Sequence, residues 1–275
     1  MWFTLSVALA SPCPSPGPSL LLTRVSRAVV DESSGLAPAA RRPGWWFTHN
    51  DSGGKPVVYA FDGQGGFEAH PVEGAEAVDW EDLDSGPCPG SEGTCLYVAD
   101  IGDNKRKRDF VTVYALTEPG PGESAQVQAR WDFTYAHGPD NAETLLVHPR
   151  TGELTVVTKS GSGRSHVVPL PRTPTPGVIT VSAVGTLDFT GDTGSDRKAT
   201  GGAWSPDGSA VAIRTYTRVW EWVGGAQWWM APVKRTAPTA VEVQGESLHW
   251  HPDGGWVTTS EGTPMPVHHH RCTAR

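Results

Sequence analysis

Five segments of the chain share one pattern: an acidic or hydroxyl residue, five residues, then a proline. They are Glu32 to Pro38 (ESSGLAP), Glu81 to Pro87 (EDLDSGP), Glu143 to Pro149 (ETLLVHP), Thr200 to Pro206 (TGGAWSP) and Glu246 to Pro252 (ESLHWHP). Self-similarity at a period of roughly 45–60 residues marks a radial or solenoid repeat. If the repeats surround an axis, residues from distant parts of the chain converge on one ring. Four of the five lead residues are carboxylates.

The flanking sequence supports a blade in each repeat. Short β-rich runs follow the prolines: Trp45–Thr48, Cys95–Ala99, Leu154–Thr158, Ala210–Ile213 and Trp256–Thr259. HPRTGE, SPDGSA and HPDGGW place Pro, Asp and Gly where a hairpin turn needs them. A further run follows in each repeat: VVYAFD, VTVYAL, SHVVPL, RVWEWV and PVHHHR. Another extended stretch ends the earlier repeats, such as Val127–Tyr135 and Val178–Phe189. Helical periodicity is nearly absent, and abundant Gly and Pro oppose long helices.

The last repeat lacks its outer strand, while Leu20–Val30 (LLLTRVSRAVV) reads as a strand without a repeat of its own. Pairing the two closes a ring and hides exposed edges. The sequence thus predicts an all-β, five-bladed β-propeller with closure by the N-terminal strand. Its domain layout is a signal or tail over residues 1–18 and one propeller over 19–275. Six blades with one degenerate repeat is the alternative.

A net charge of −8 argues against a nucleic-acid partner. The basic run Lys105–Arg108 (KRKR) reads as a solvated hairpin tip. No stretch is long and apolar enough to span a bilayer. MWFTLSVALA resembles the apolar region of a secretory signal, although it lacks a basic start. A lipid attachment at Cys13 fits poorly, because Pro12 stands where a small residue is expected. Four cysteines suggest two disulfides. Cys88 and Cys95 flank a tight loop, and Cys13 and Cys272 lie near termini that ring closure brings together. Two such bridges fit a secreted or periplasmic protein. No C-x-x-C pair points to zinc.

In a propeller, the start of the first strand and the end of the second share one mouth of the channel. The first set is Glu32 with Ser33 and Ser34, then Glu81, Glu143, Thr200 and Glu246. The second is His49-Asn50-Asp51, Asp100 with Asp103-Asn104, Lys159, Arg214 and Glu261. Crowded carboxylates raise one another's pKa or demand a cation, and an all-oxygen set suits calcium. The architectural reading is that the glutamates pair with Lys, Arg or backbone amides and hold blades together. His268–His270 reads as a surface cluster. Trp45, Trp46, Trp80 and Trp131 read as packing between sheets rather than as sugar platforms. GQGG and GSG are turns rather than phosphate loops, since no helix pattern follows.

The blade openings ESSGLA, (D)WED, (N)AET and (G)ES resemble those of the calcium-activated nucleotidases, or apyrases. That resemblance implies a five-bladed propeller with axial Ca2+ and hydrolysis of nucleoside diphosphates. It implies metal ligands among Ser33, Ser34, Glu81, Glu143, Thr200 and Glu246. Lys159 and Arg214 would contact phosphate, and Glu81 or Glu143 would orient water or hold the metal. THNDSGG, DWEDL and DIGDN also look like a group of secreted bacterial propellers of no established activity. The expectation is a monomeric, calcium-binding propeller with a bowl for a small phosphate-bearing anion, as a phosphohydrolase. The alternative is a non-catalytic binding propeller with a structural ion.

Overall fold

The computed structural model describes residues 11–13, 15–189, 194–233 and 235–272, so the apolar run at the start lies outside the described residues. Strands dominate, and no α-helix occurs among the described residues. Strand β1 (Pro16–Val25) precedes the first meander, β2 (Ser33–Pro38), β3 (Trp45–Asn50), β4 (Val57–Asp62) and β5 (Phe67–Glu73). The second is β6 (Trp80–Pro87), β7 (Thr94–Asp100), β8 (Val111–Thr117) and β9 (Ala125–Tyr135). Next come β10 (Ala142–Val147), β11 (Leu154–Thr158), β12 (Arg164–Pro169), β13 (Val178–Val181) and β14 (Gly185–Asp188). The fourth meander is β15 (Ala199–Trp204), β16 (Ala210–Thr215), β17 (Arg218–Val223) and β18 (Arg235–Pro238). The chain continues with β19 (Gly245–Trp250), β20 (Trp256–Ser260) and β21 (Met265–Cys272).

Each run read as a strand from the sequence overlaps one, with one rearrangement and one shift of bounds. Val178–Phe189 does not form one outer strand. It splits into β13, which runs parallel to β9 of the preceding meander, and β14, which pairs with β12. Strand β9 is long, and its outer edge is covered at one end by β5 and at the other by β13. Covering that edge removes a row of unpaired backbone groups.

Strand β1 pairs antiparallel with β21, bringing Thr23 opposite Val267. It begins and ends earlier in the chain than the run Leu20–Val30 suggests; Val30 is instead buried in the core that joins the last sheet to the first.

The first strands contact one another in a cycle: β2 with β6, β6 with β10, β10 with β15, β15 with β19, and β19 with β2. Apolar cores lie between successive meanders, and one of them joins Val257, Met265 and Val267 to Leu36, Trp46 and Phe61 across the chain ends. This is a propeller-like arrangement. Trp80, Trp131 and Trp256 are almost completely buried, so the tryptophans fill inter-sheet space as aromatic bulk does best.

The cycle leaves the inner edges of the first strands without strand partners. Side chains supply the missing bonds. Asp82 Oδ2 accepts from Leu145 N at 2.8 Å, and Asp84 Oδ2 accepts from Val147 N at 2.7 Å. These carboxylates fasten β6 to β10 and satisfy backbone donors that would otherwise be buried unpaired.

Two disulfides are present, Cys13–Cys272 and Cys88–Cys95, with sequence separations of 259 and 7. In the chain-entropy picture the long loop stabilises by about 5 kcal/mol and the short one by about half as much. We therefore expect Cys13→Ala/Cys272→Ala to cost roughly twice as much unfolding free energy in urea as Cys88→Ala/Cys95→Ala. Equal losses would mean that ring closure contributes little.

Candidate functional site at the axial mouth

Every first strand carries a register slip at its opening. The slips lie between Ser33 and Leu36, Trp80 and Asp82, Ala142 and Thr144, Ala199 and Gly201, and Gly245 and Ser247. Such a bulge re-aims the extra residue out of the pleat. The re-aimed residues are Glu81, Glu143, Thr200 and Glu246, with Ser34 at the matching place in β2. The proline frame misplaces the first repeat. Counting from the paired Leu36 and Leu83, Ser34 corresponds to Glu81, and Glu32 falls two residues outside the ring. Glu32 is exposed. The reason is that strand pairing sets register, and Pro38 ends β2 rather than marking the turn beyond it.

The hydroxyl positions serve the scaffold. Ser34 Oγ donates to Glu81 O at 2.7 Å, and Thr200 Oγ1 donates to Gly245 O at 2.9 Å. Ser33 does not face the ring; its hydroxyl bonds Thr48 and Thr259, each at 2.8 Å, between β3 and β20.

The carboxylates gather. Asp51, at the end of β3, and Asp79, just before β6, join Glu81, with one oxygen of each within 4.8 Å of the others. Asp51 stood on the expected face of the bowl but was not assigned as a ligand. Asp79 was missed altogether; its only signal was the acidic pair flanking Trp80. Asp100 holds the Asp79 loop, accepting from Asp79 N at 3.0 Å and from Arg108 Nη1 at 2.7 Å. Gly102 packs directly on this cluster, where a Cβ would collide with Glu81 Oε1 and Asp79.

Burial and mutual repulsion keep these acids short of full ionisation. Burial first, then Glu143 and Asp51, push Glu81 well above the ordinary carboxylate range. Burial raises Asp51 and Asp79 to about 6 each. Glu143 stands at about 7, raised by burial against the pull of Lys159. Glu246 stands at about 8, raised by burial and by Glu143.

Lys159 lies among them. Its ammonium pairs with Glu143 Oε2 and donates to Tyr216 Oη at 2.8 Å. Burial opposes its charge, but Glu143 and Glu246 outweigh it and hold the amine protonated. Asn141 and Gln244 complete the shell, donating to Glu143 Oε1 at 3.3 Å and to Glu246 Oε1 at 2.7 Å. Glu246 Oε2 is buried with no hydrogen-bond partner among the described residues.

Arg214 does not join the bowl as a phosphate contact. It is fully buried, and its five donors meet Thr215 O, Ser247 O, Thr259 O, Tyr216 O and Glu242 Oε2. The Glu242 contact is 2.7 Å, and against the cost of burial it draws that carboxyl down to about 2. Guanidinium geometry leaves no donor for a ligand. Arg214 is a clasp between β16 and the last sheet, and Gly245 is required beside it because a Cβ would overlap its guanidinium.

The basic run is less solvated than its composition suggests. Asp103 accepts from Lys107 N and Arg108 N at 2.8 and 2.9 Å, folding KRKR back over the mouth. Lys105, Lys107 and Arg108 line a groove of about 420 Å³ together with Ser52, Asp79, Gly102 and Asn104. Nothing in the spacing indicated that this loop returns to the axis. His268–His270 is not a surface cluster either. His269 and His270 are buried, His269 against Gly254 O at 2.8 Å and His270 near Thr258, while His268 reaches Glu242.

No family model matches the chain, and no curated protein matches it. Solved structures do. One is a proposed oxidoreductase (glucose dehydrogenase) from Thermus thermophilus, at 12% identity and a TM-score of 0.51, covering 92% of this chain and 99% of that one. Another is a glucose dehydrogenase, at 11% identity and a TM-score of 0.54, covering 94% and 100%. At this identity the likeness shows the fold, a β-propeller, and not the reaction. No helix among the described residues is long and apolar enough to cross a membrane.

Two outcomes follow from the electrostatics. Arg214→Ala leaves the buried Glu242 carboxylate without its arginine, with only Thr258 and His268 beside it, so it should cost about 3–5 kcal/mol in urea unfolding. Adding Glu242→Ala should recover part of that loss. The second outcome concerns pH. Glu143 and Glu246 hold protons when folded that they release when unfolded, so their stabilisation is complete below the unfolded value near 4.5 and is lost as pH rises through 7 and 8. His49 and His270, depressed by burial to about 4, act in the opposite sense but only below about 6.5. In chelator, therefore, the melting temperature should fall between pH 6.5 and 8.5. A loss of about 2 kcal/mol corresponds to roughly 4–8 °C. Glu246→Gln should flatten the profile.

Proposed function

We propose that the chain is a secreted or periplasmic, monomeric five-bladed propeller, closed by β1 on β21. Its axial bowl binds calcium and a small phosphate-bearing anion. Support for five blades comes from the cycle of first strands and the cores between successive meanders. Support for an oxidising compartment comes from the two disulfides.

The ligand reading rests on one observation: Asp79, a member of the acidic cluster, lines the same groove as the basic loop. The donors fit a hard cation. They are carboxylate oxygens held close together, destabilised as anions by burial and by one another, and served by too few fixed positive charges. Asp51, Asp79 and Glu81 would hold the ion. Calcium there would supply neutralising charge and polarise a phosphoryl oxygen. Lys105 and Lys107 would meet the anion's remaining charge with compact, mobile ammonium groups. Arg108 remains on Asp100 and keeps Asp79 in place.

The nucleotidase resemblance would add Ser33, Ser34, Glu143, Thr200 and Glu246 to the metal set. In the present reading Thr200 holds the scaffold, and the two glutamates surround Lys159 instead. Hydrolysis of a phosphoric anhydride or ester is the second reading. It is favoured by Glu143 and Glu246, which exchange protons at about 7 and 8 as an acid–base group near neutral pH must.

Calcium at about 100 times its Kd should add roughly 2.7 kcal/mol to stability, read as a rise in melting temperature over chelator. Asp79→Asn/Glu81→Gln should abolish that rise. Calorimetry with nucleoside diphosphates in calcium should show binding that Lys105→Ala/Lys107→Ala weakens about tenfold, and phosphate release decides between hydrolysis and binding alone. A wild-type melting curve indifferent to calcium and chelator would refute the reading.

A further inference from the structure

A second cluster, of two histidines and one carboxylate, lies beyond the bowl. His137 and Asp140 stand in the connection from β9 to β10, and His166 stands in β12. We propose that these three residues form a transition-metal site.

The geometry carries the inference. Asp140 Oδ2 lies 3.2 Å from His137 Nε2 and 3.4 Å from His166 Nδ1. The three ligand atoms all lie within 4.8 Å of one another. In a tetrahedral zinc site with bonds of about 2.0–2.1 Å, ligand atoms are separated by about 3.3–3.4 Å. The two Asp–His separations match that edge. They match hydrogen bonds less well, since both sit at or beyond the long end for N–H to O.

The carboxylate is also prepared for the role. Its other oxygen, Oδ1, is occupied by Asn141 N at 3.0 Å and Arg106 Nη2 at 2.9 Å. Those bonds fix the carboxylate and leave Oδ2 toward the imidazoles, as outer partners do in metal sites. His137 is further held by stacking on Tyr135, with ring centroids 5.5 Å apart. Asp140 is buried, whereas the side chains of His137 and His166 are 30% and 38% exposed, so an ion has an approach from solvent.

Donor chemistry separates this site from the bowl. Two imidazoles and one carboxylate suit Zn2+, Co2+, Ni2+ or Cu2+ and are poor ligands for calcium. Three protein ligands leave a coordination position open for water or a small ligand. The inference stands whether or not the bowl binds calcium.

The test is calorimetric titration of tag-free protein with zinc chloride in excess calcium, repeated with cobalt to read its tetrahedral absorption. Wild type should take up one equivalent with a Kd at or below the micromolar range. His137→Ala/His166→Ala should weaken that binding at least 30-fold, and Asp140→Asn at least 10-fold. His251→Ala/His268→Ala, which alters the other histidine group, should leave it unchanged. Mass spectrometry after diethylpyrocarbonate treatment gives a reading without substitutions: zinc should protect His137 and His166 together. The proposal is overturned if wild type shows no saturable binding below 100 µM zinc. It is also overturned if the His137→Ala/His166→Ala protein binds as wild type does, or if zinc protects neither histidine.

Discussion

A bulge repeated at the opening of every innermost strand governs this molecule. Without it, Glu81, Glu143 and Glu246 would follow the pleat into the packed spaces between sheets, where an ionised carboxylate is costly. With it, the same residues turn toward the axis. Each slip also frees backbone groups that neighbouring strands must satisfy, and Ser34 and Thr200 do so through their hydroxyls. The scaffold and the polar mouth thus have one origin. A repeat that builds a ring from strands concentrates whatever residue it places at the bulge, and here that residue is mostly glutamate.

Concentrating like charge creates a problem that different parts of the structure meet differently. At the inner edges, Asp82 and Asp84 accept backbone N–H groups. In the connection before β19, Glu242 receives a fully committed arginine. At the mouth, Lys159 serves Glu143 and leaves the group of Asp51, Asp79 and Glu81 without an equivalent partner. Burial is the largest cause in each of the three: it pushes Glu81 well above the ordinary carboxylate range and Asp51 and Asp79 to about 6. Under the proposed reading, a bound cation would relieve that imbalance.

The sequence made the repeats legible because turns and strands are local. HPRTGE and HPDGGW carry their own conformational preferences, and runs such as LTVVT and WVTTS carry theirs. The disulfides were legible for a related reason: one closes a short loop, and the other joins ends that the repeat count brings together. What was not legible depends on partners far along the chain. The register of β2 is set by pairing with β3, so the shared proline misled the assignment of Glu32. Arg214 follows its proline at nearly the same distance as Lys159, yet pairing makes Tyr216 the match of Lys159, and Arg214 reaches Ser247, Thr259 and Glu242 as well as its own Thr215 and Tyr216. The loop from Lys105 to Arg108 looked like a free hairpin tip because Asp103, which folds it back, is an ordinary turn residue in sequence. His269 and His270 looked exposed because the burial of a final strand depends on what pairs with it, and β1 arrives from the other end of the chain.

The bridge between Cys13 and Cys272 makes the polypeptide between them a covalent circle. A single cut in any loop inside that circle leaves one connected molecule, with every sheet still tied to its neighbours through the chain. Two cuts are needed before a piece can leave. The loops that carry the polar mouth can therefore be cut singly without loss of any part of the chain between the two cysteines. Their cleavage opens the circle without dismantling the ring of sheets, and the position of the termini becomes a matter of where the circle is interrupted rather than of where the fold begins.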